Sequence, residues 1–131
     1  MATGTLFDSQ DQKATPSDGT FVQGVSAVIT TTTAVEVLAA PDAGRHLVIT
    51  RVVAVNITPA EDMSLMLLDS TPANLCPLGI NNAADISTPS QNEMVFKNGL
   101  VCASAKAFQA KGNVATTGDA FVYAEGYSIA D

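Results

Sequence analysis

The sequence predicts an all-β fold: a two-sheet antiparallel β-sandwich, jelly-roll-like, entered by an extended N-terminal arm. Three observations carry this. Beyond residue 20 the chain is rich in Thr, Val and Ile, in stretches of about six to ten residues broken by Pro, Gly, Asn and Asp. About eight such stretches fall within roughly 110 residues, the density of two sheets packed over a shared core. No long stretch repeats its apolar residues at helical spacing, and the chain has no internal repeat.

At 131 residues the chain fits one domain, divided into an arm at 1–20 and a sandwich at 21–131. The arm, MATGTLFDSQDQKATPSDGT, is polar, with Leu6-Phe7 as its main apolar content. Such a segment gains order only against a partner. It is expected to dock in extended form on its own domain or on a neighbouring subunit. Leu6 and Phe7 would anchor it, with Asp8 and Gln10 as polar neighbours.

Strands are expected near residues 21–30, 34–39, 46–57, 63–69, 74–80, 92–97, 100–109 and 119–129. The turn APDAGR (40–45) offers Pro41 and Asp42 at turn-starting positions and Gly44 for positive φ. In FKNGLV (96–101), Asn98-Gly99 between two apolar runs reads as a type I′ hairpin. Residues 110–121 make a looser connection. The segment 69–93 is long and carries Pro72, Pro77 and Pro89. Long connections are often functional or intermolecular, so Leu75, Pro77, Leu78 and Ile80 are expected to contact another subunit. Its NAAD stretch (82–85) could close one helical turn.

The strand GRHLVITRVVAVNI (44–57) poses a problem. By strict alternation Arg51 shares the more apolar face with Leu47, Ile49, Val53, Val55 and Ile57. The other face is also largely apolar, which is unusual for a sheet with one side in water. Something should therefore cover it: the arm, the long loop or another subunit. The last strand, AFVYAEGYSIAD (120–131), repeats the anomaly, because Glu125 interrupts Phe121, Tyr123, Tyr127 and Ile129. Unpaired buried charges are strongly unfavourable, whereas paired ones are tolerated. Arg51 and Glu125 are expected to form a structural ion pair, with a tyrosine hydroxyl nearby. The alternatives are a β-bulge that turns Arg51 to solvent, or a different partner.

Composition narrows the function. Thirteen acids against six bases give a net charge of −7, and the bases are scattered, which argues against direct nucleic-acid binding and against an anionic membrane. No apolar run approaches membrane-span or signal-peptide length. The charged fraction of 15% is low and hints at surface buried in an assembly. Cys76 and Cys102 read as two reduced, buried thiols, and with one histidine they supply no usual zinc set, so no metal or cofactor is expected. His46 lacks a nucleophile-elbow sequence to serve, and its bland reading is a hydrogen-bonded strand-edge histidine. Asn56-Ile57-Thr58 matches a glycosylation sequon only by letters. With no Trp, a sugar shelf is weakly supported, and Phe121, Tyr123 and Tyr127 read as core or interface.

The succession TTAVEVLAAPDAGRHLVITRVVAVNI, MSLMLLDS, MVFKNGLVCASAKAF and AFVYAEGY resembles small virion proteins of tailed bacteriophages, most of all head decoration (cement) proteins. The resemblance covers roughly residues 25–129 and is a pattern rather than a motif. It implies a non-enzymatic structural protein on the outer capsid surface. Such a protein is made in the host bacterial cytoplasm, clusters with itself as trimers, and bridges subunits of the major capsid protein. The alternative is a tail, fibre or baseplate module that binds a host glycan or another virion protein.

Overall fold

A computed structural model describes residues 19–58, 62–81, 89–113 and 118–131. The expected anchors Leu6, Phe7, Asp8 and Gln10, and the NAAD turn, lie outside the described residues. Eight strands are described: β1 (Thr20–Val25), β2 (Val35–Leu38), β3 (Arg45–Asn56), β4 (Met63–Asp69), β5 (Asn74–Ile80), β6 (Ser90–Val101), β7 (Phe108–Gly112) and β8 (Ala120–Ala130). They form two four-stranded antiparallel sheets, ordered β1-β8-β3-β6 and β2-β7-β4-β5. The first strand pairs with the last, the second with the seventh, the third with the sixth and the fourth with the fifth. This long antiparallel ribbon is rolled so that β8 also pairs with β3 and β7 with β4. That connectivity is the eight-stranded jelly roll.

The core lies between the sheets. The first sheet contributes Leu47, Ile49, Val52, Ala54, Val122 and Ala124, and the second Leu65, Leu67, Leu78, Ile80, Phe108 and Ala110. Each large side chain withdrawn from water here contributes about 1.5–3 kcal/mol. β8 turns only small residues inward (Ala120, Ala124, Gly126, Ser128, with Val122) and its large ones outward.

Two irregularities set the site. β3 carries one extra residue, Thr50, because Ile49 stands opposite Gly126 while Arg51 stands opposite Glu125. The bulge reverses the alternation. Leu47 and Ile49 face the core before it, and Val52, Ala54 and Asn56 after it. Arg51 is thereby moved off the face of Leu47 and Ile49, correcting the strict-alternation reading. Gly126 permits this approach, since a Cβ there would lie 2.1 Å from the Val48 carbonyl oxygen and 2.9 Å from Ile49 Cα. The second irregularity is in β6, where Phe96–Gly99 bulge out between Val95, opposite Arg51, and Leu100, opposite Ile49. The expected Asn98-Gly99 hairpin is thus a wide bulge within one strand, with both flanks paired to β3. Gly99 supplies the positive φ of 80° it needs.

Other boundaries shift as well. The expected strand 100–109 ends at Val101 and resumes as β7 at Phe108. Between them the chain turns back on β3 through Cys102 N–H to Leu47 O (2.9 Å) and Ala105 N–H to Arg45 O (2.8 Å). The expected strand 21–30 stops at Val25, after which Ser26 and Ile29 bond individually to β8. The APDAGR turn is present, with Arg45 N–H donating to Asp42 O and Gly44 at φ 82°.

A buried carboxylate ties one end of the sandwich. Asp69, 2% exposed, accepts from the backbone N–H of Thr71 (2.9 Å), Ala73 (3.2 Å) and Ala103 (2.9 Å), and from the Thr71 hydroxyl. It joins the β4–β5 turn to the β6–β7 connection. Burial opposes its charge, but the hydrogen bonds from Thr71, Ala103 and Ala73 outweigh that and hold its carboxyl below the ordinary value.

Candidate functional site

The outer face of the first sheet is the candidate site, and the strand register places every side chain on it. Cross-strand partners point to the same side, so the face reads in rows from β1 through β8 and β3 to β6. One row is Phe21, Tyr127, Val48, Val101; the next Gln23, Glu125, Arg51, Val95; the next Val25, Tyr123, Val53, Glu93. A shorter row follows of Phe121, Val55 and Gln91. A sheet face in contact with water ordinarily carries polar residues. Here Phe21 is 50% exposed, Val25 65%, Val95 67% and Val101 53%. The outward side of the second sheet is more mixed, with Glu36, Ser64, Gln109 and Lys111 beside Met66 and Pro77.

The centre of the apolar face holds a charge cluster. Arg51 donates through Nε to Glu93 and through Nη1 to Glu125 Oε1 at 3.3 Å, and its guanidinium carbon lies 5.8 Å from the centre of the Tyr123 ring. The structure thus brings Arg51 and Glu125 together and adds Glu93. The Tyr123 hydroxyl donates to Glu125 Oε1 at 2.8 Å and stands 2.9 Å from the Gln23 side-chain oxygen. The Glu93 hydrogen bond above all, and then both carboxylate charges, raise the Arg51 pKa against the opposing pull of desolvation. Burial first, then the Glu125 hydrogen bond and charge, push the Tyr123 hydroxyl upward too. At the row above, Phe21 meets Tyr127 edge-to-face, with centroids 5.9 Å apart. Glu93 was missed from sequence because it lies beyond the β6 bulge; its signal was an acid in an otherwise strand-like run.

The expected contact residues of 74–80 fall in β5, which matches the expected strand 74–80 and forms an edge of the second sheet. Leu78 and Ile80 are each 3% exposed and belong to the core, so they are corrected from contact residues to packing residues. Their burial follows from alternation, which sends every second residue of β5 inward. Leu75 packs partly against the core, and Pro77 is exposed on the sheet edge.

The titratable groups elsewhere are structural. His46 Nδ1 lies 2.8 Å from Asp131 Oδ1, and Ser104 donates its hydroxyl to the other oxygen of Asp131. Serine, histidine and acid are therefore neighbours, but the serine proton goes to the carboxylate and not to the imidazole, so no base-activated nucleophile is formed. Both cysteines are free; Cys102 is buried, whereas Cys76 is only half-buried. Desolvation, with the Asp69 charge behind it, pushes the Cys102 thiol up to about 12. No group of three or more His, Cys, Asp or Glu able to hold a metal occurs among the described residues. No helix in the described structure is long and apolar enough to cross a membrane. Asn56 is fully buried and uses its side chain within the fold, donating to Asn81 O and accepting from Thr58 N–H. A cleft of about 450 Å³ opens beside β1 and β2, walled by Val22, Val37 and Leu47. Arg45 stands in it with its guanidinium held by the Ser128 hydroxyl and carbonyl at 2.9 and 2.7 Å.

No family model and no curated protein matches the chain. Among the solved structures that it resembles, two are similar at low identity. One is the capsid asymmetric unit of cyanophage Pam1, with 18% identity, 87% of this chain and 89% of that chain covered, and a TM-score of 0.46. The other is the virus-like particle of the extra small virus of the giant freshwater prawn Macrobrachium rosenbergii, with 9% identity, 90% and 84% covered, and a TM-score of 0.42.

Proposed function

We propose that the chain is a structural virion protein: a head decoration, or cement, protein that sits on the outside of a tailed-phage capsid and stiffens it by bridging major capsid subunits. The observation that carries the reading is the apolar outer face of the first sheet, a surface built to be covered. The rest of the chain offers binding rather than chemistry: a rigid jelly roll, a His-Asp-Ser cluster without an activated nucleophile, and a net charge of −7 that suits a surface away from packaged nucleic acid. Binding would be multivalent. Several copies, each with the arm expected at residues 1–20, engage several lattice sites at once, so that weak single contacts add to firm attachment. In the arm Leu6 and Phe7 would anchor, flanked by Asp8 and Gln10, with Leu75 and Pro77 as further contacts at the β5 edge.

The test uses heads of the phage that encodes the chain, prepared without it. The full chain should co-sediment with them in stoichiometric amount and appear on the outer lattice by electron cryomicroscopy. A chain lacking residues 1–18 should keep its circular dichroism yet stay in the supernatant. Full-length chain that does not bind heads would refute the reading, and truncated chain that binds normally would refute the arm's part in it.

A further inference from the structure

From the register of the first sheet we infer that its outer face is a self-complementary docking surface for a second copy of the chain, paired face to face about a two-fold axis that runs along the strands between β8 and β3. The inference starts from the same apolar face as the capsid reading and names a second copy of the chain as its occupant. Its basis is an antisymmetry in the rows. The β1–β8 half of the face carries the aromatic residues Phe21, Phe121, Tyr123 and Tyr127 and the acid Glu125. The β3–β6 half carries Val48, Val53, Val55, Val95 and Val101 and the base Arg51, with Gln91 and Glu93 at its outer strand.

Rotation about such an axis keeps each row at its own height and exchanges the two halves. Glu125 of one copy then lies over Arg51 of the other, and the reverse contact forms at the same time. Tyr127 lies over Val48, Tyr123 over Val53 and Phe21 over Val101. Each large ring meets a small β-branched side chain and Arg51 meets Glu125, while at the outer strands Val25 lies over Glu93 and Gln23 over Val95. A two-fold contact needs this property, because the same patch must complement itself. Glu125 is the most deeply set of the three ionised groups, with its side chain 14% exposed against 38% for Arg51 and 47% for Glu93. A second guanidinium arriving from above would meet a carboxylate already fixed by Tyr123, and close contact would withdraw the pair from water, where such bonds are strongest.

The size is sufficient. Four strands by about nine residues span roughly 20 Å by 30 Å. That flat footprint, increased by side-chain relief, is of the order of the ~800 Å² per partner found in stable interfaces. The pairing also gives apolar partners to Phe21 and Val101, two of the large apolar side chains that stand half or more exposed on this face. It assigns the face a two-fold contact in place of the three-fold cluster implied by the phage resemblance.

Sedimentation velocity on the full chain tests this. Wild-type protein should run at twice the 13.5 kDa chain mass. Arg51→Glu and Glu125→Arg should each run as folded monomers, since each sets like charges against one another across the axis. Mixed in equal amounts, these two chains should recover the dimer, because every crossing pair is then opposite in charge. If either charge variant fails to fold, the double variant Phe21→Asp/Val101→Asp decides. Both sites are exposed in the free chain, and that protein should be a folded monomer. Wild-type protein that is a monomer or a trimer would overturn the inference. So would a Phe21→Asp/Val101→Asp protein that still dimerises, or two folded charge variants that do not pair when mixed.

Discussion

Replacing Asp69 with Ala tests whether one carboxylate fastens an end of the sandwich. The side chain is almost fully buried and accepts from three backbone N–H groups and one hydroxyl. A hydrogen bond to a charged group is worth about 1.5–3 kcal/mol, and a buried donor left without a partner costs about 1–3 kcal/mol. The Thr71 and Ala73 amides belong to a turn at the surface and regain water. The Ala103 amide also belongs to an exposed residue, and its loss is that of the bond joining the β6–β7 connection to β4. We therefore expect a loss of about 3 kcal/mol, a large fraction of the stability of a domain this size. With a urea slope near ~2 kcal/mol/M, the unfolding midpoint should fall by roughly 1.5 M. The pH dependence gives a second readout. The folded-state pKa of Asp69 is lowered, so its contribution is complete above the unfolded value of about 3.9 and is lost as pH falls through the depressed folded value. Wild-type protein should lose stability in that acid range, and Asp69→Ala should lose less. A midpoint shift under ~0.3 M, or identical acid dependence in the two proteins, would refute the reasoning.

Two further outcomes follow from the same geometry. Gly126→Ala should destabilise by more than ~2 kcal/mol, because its Cβ would meet β3 backbone that cannot move aside, whereas Gly79→Ala, with open space around its Cβ, should leave the melting temperature nearly unchanged. In native protein a thiol reagent at neutral pH should modify Cys76 and spare Cys102, whose thiol is pushed up to about 12, with both reacting in denaturant; rapid native labelling of Cys102 would contradict its burial.

The fold class was legible in the sequence because β-branched runs and turn residues punctuate the chain at strand spacing. The roll itself was not, because pairing the first strand with the last depends on contacts that no local pattern encodes. Arg51 shows where the period-two reading stops. Alternation was right on either side of Thr50, but one inserted residue exchanges the faces, and a bulge has no signature of its own in β3. The nearest hint lay on another strand, in the lone Gly126 amid bulky residues. Asn98-Gly99 failed in a related way. The glycine does adopt the positive φ that such a pair favours, but the flanking runs share one partner, so a local bend was read as a reversal. Leu78 and Ile80 were assigned to contact because three prolines made the segment look irregular. Yet Pro77 sits on an edge strand, where a missing N–H is tolerated, and its neighbours pack inward.

The position of β8 also bears on how the chain reaches this state. It lies in the middle of the first sheet, between β1 and β3, and is synthesised after the other seven described strands. Gln23 and Tyr123, neighbours in the finished sheet, are 100 positions apart. On the ribosome β1 and β3 emerge with no central strand to join them, so the first sheet closes only once β8 has emerged. Until then the valines of β3 stand open to other nascent chains, and closing so long a loop is intrinsically slow. The second sheet has no such wait, since β4 and β5 adjoin in sequence and β7 precedes β8. Assembly of the roll should therefore proceed from the second sheet to the first.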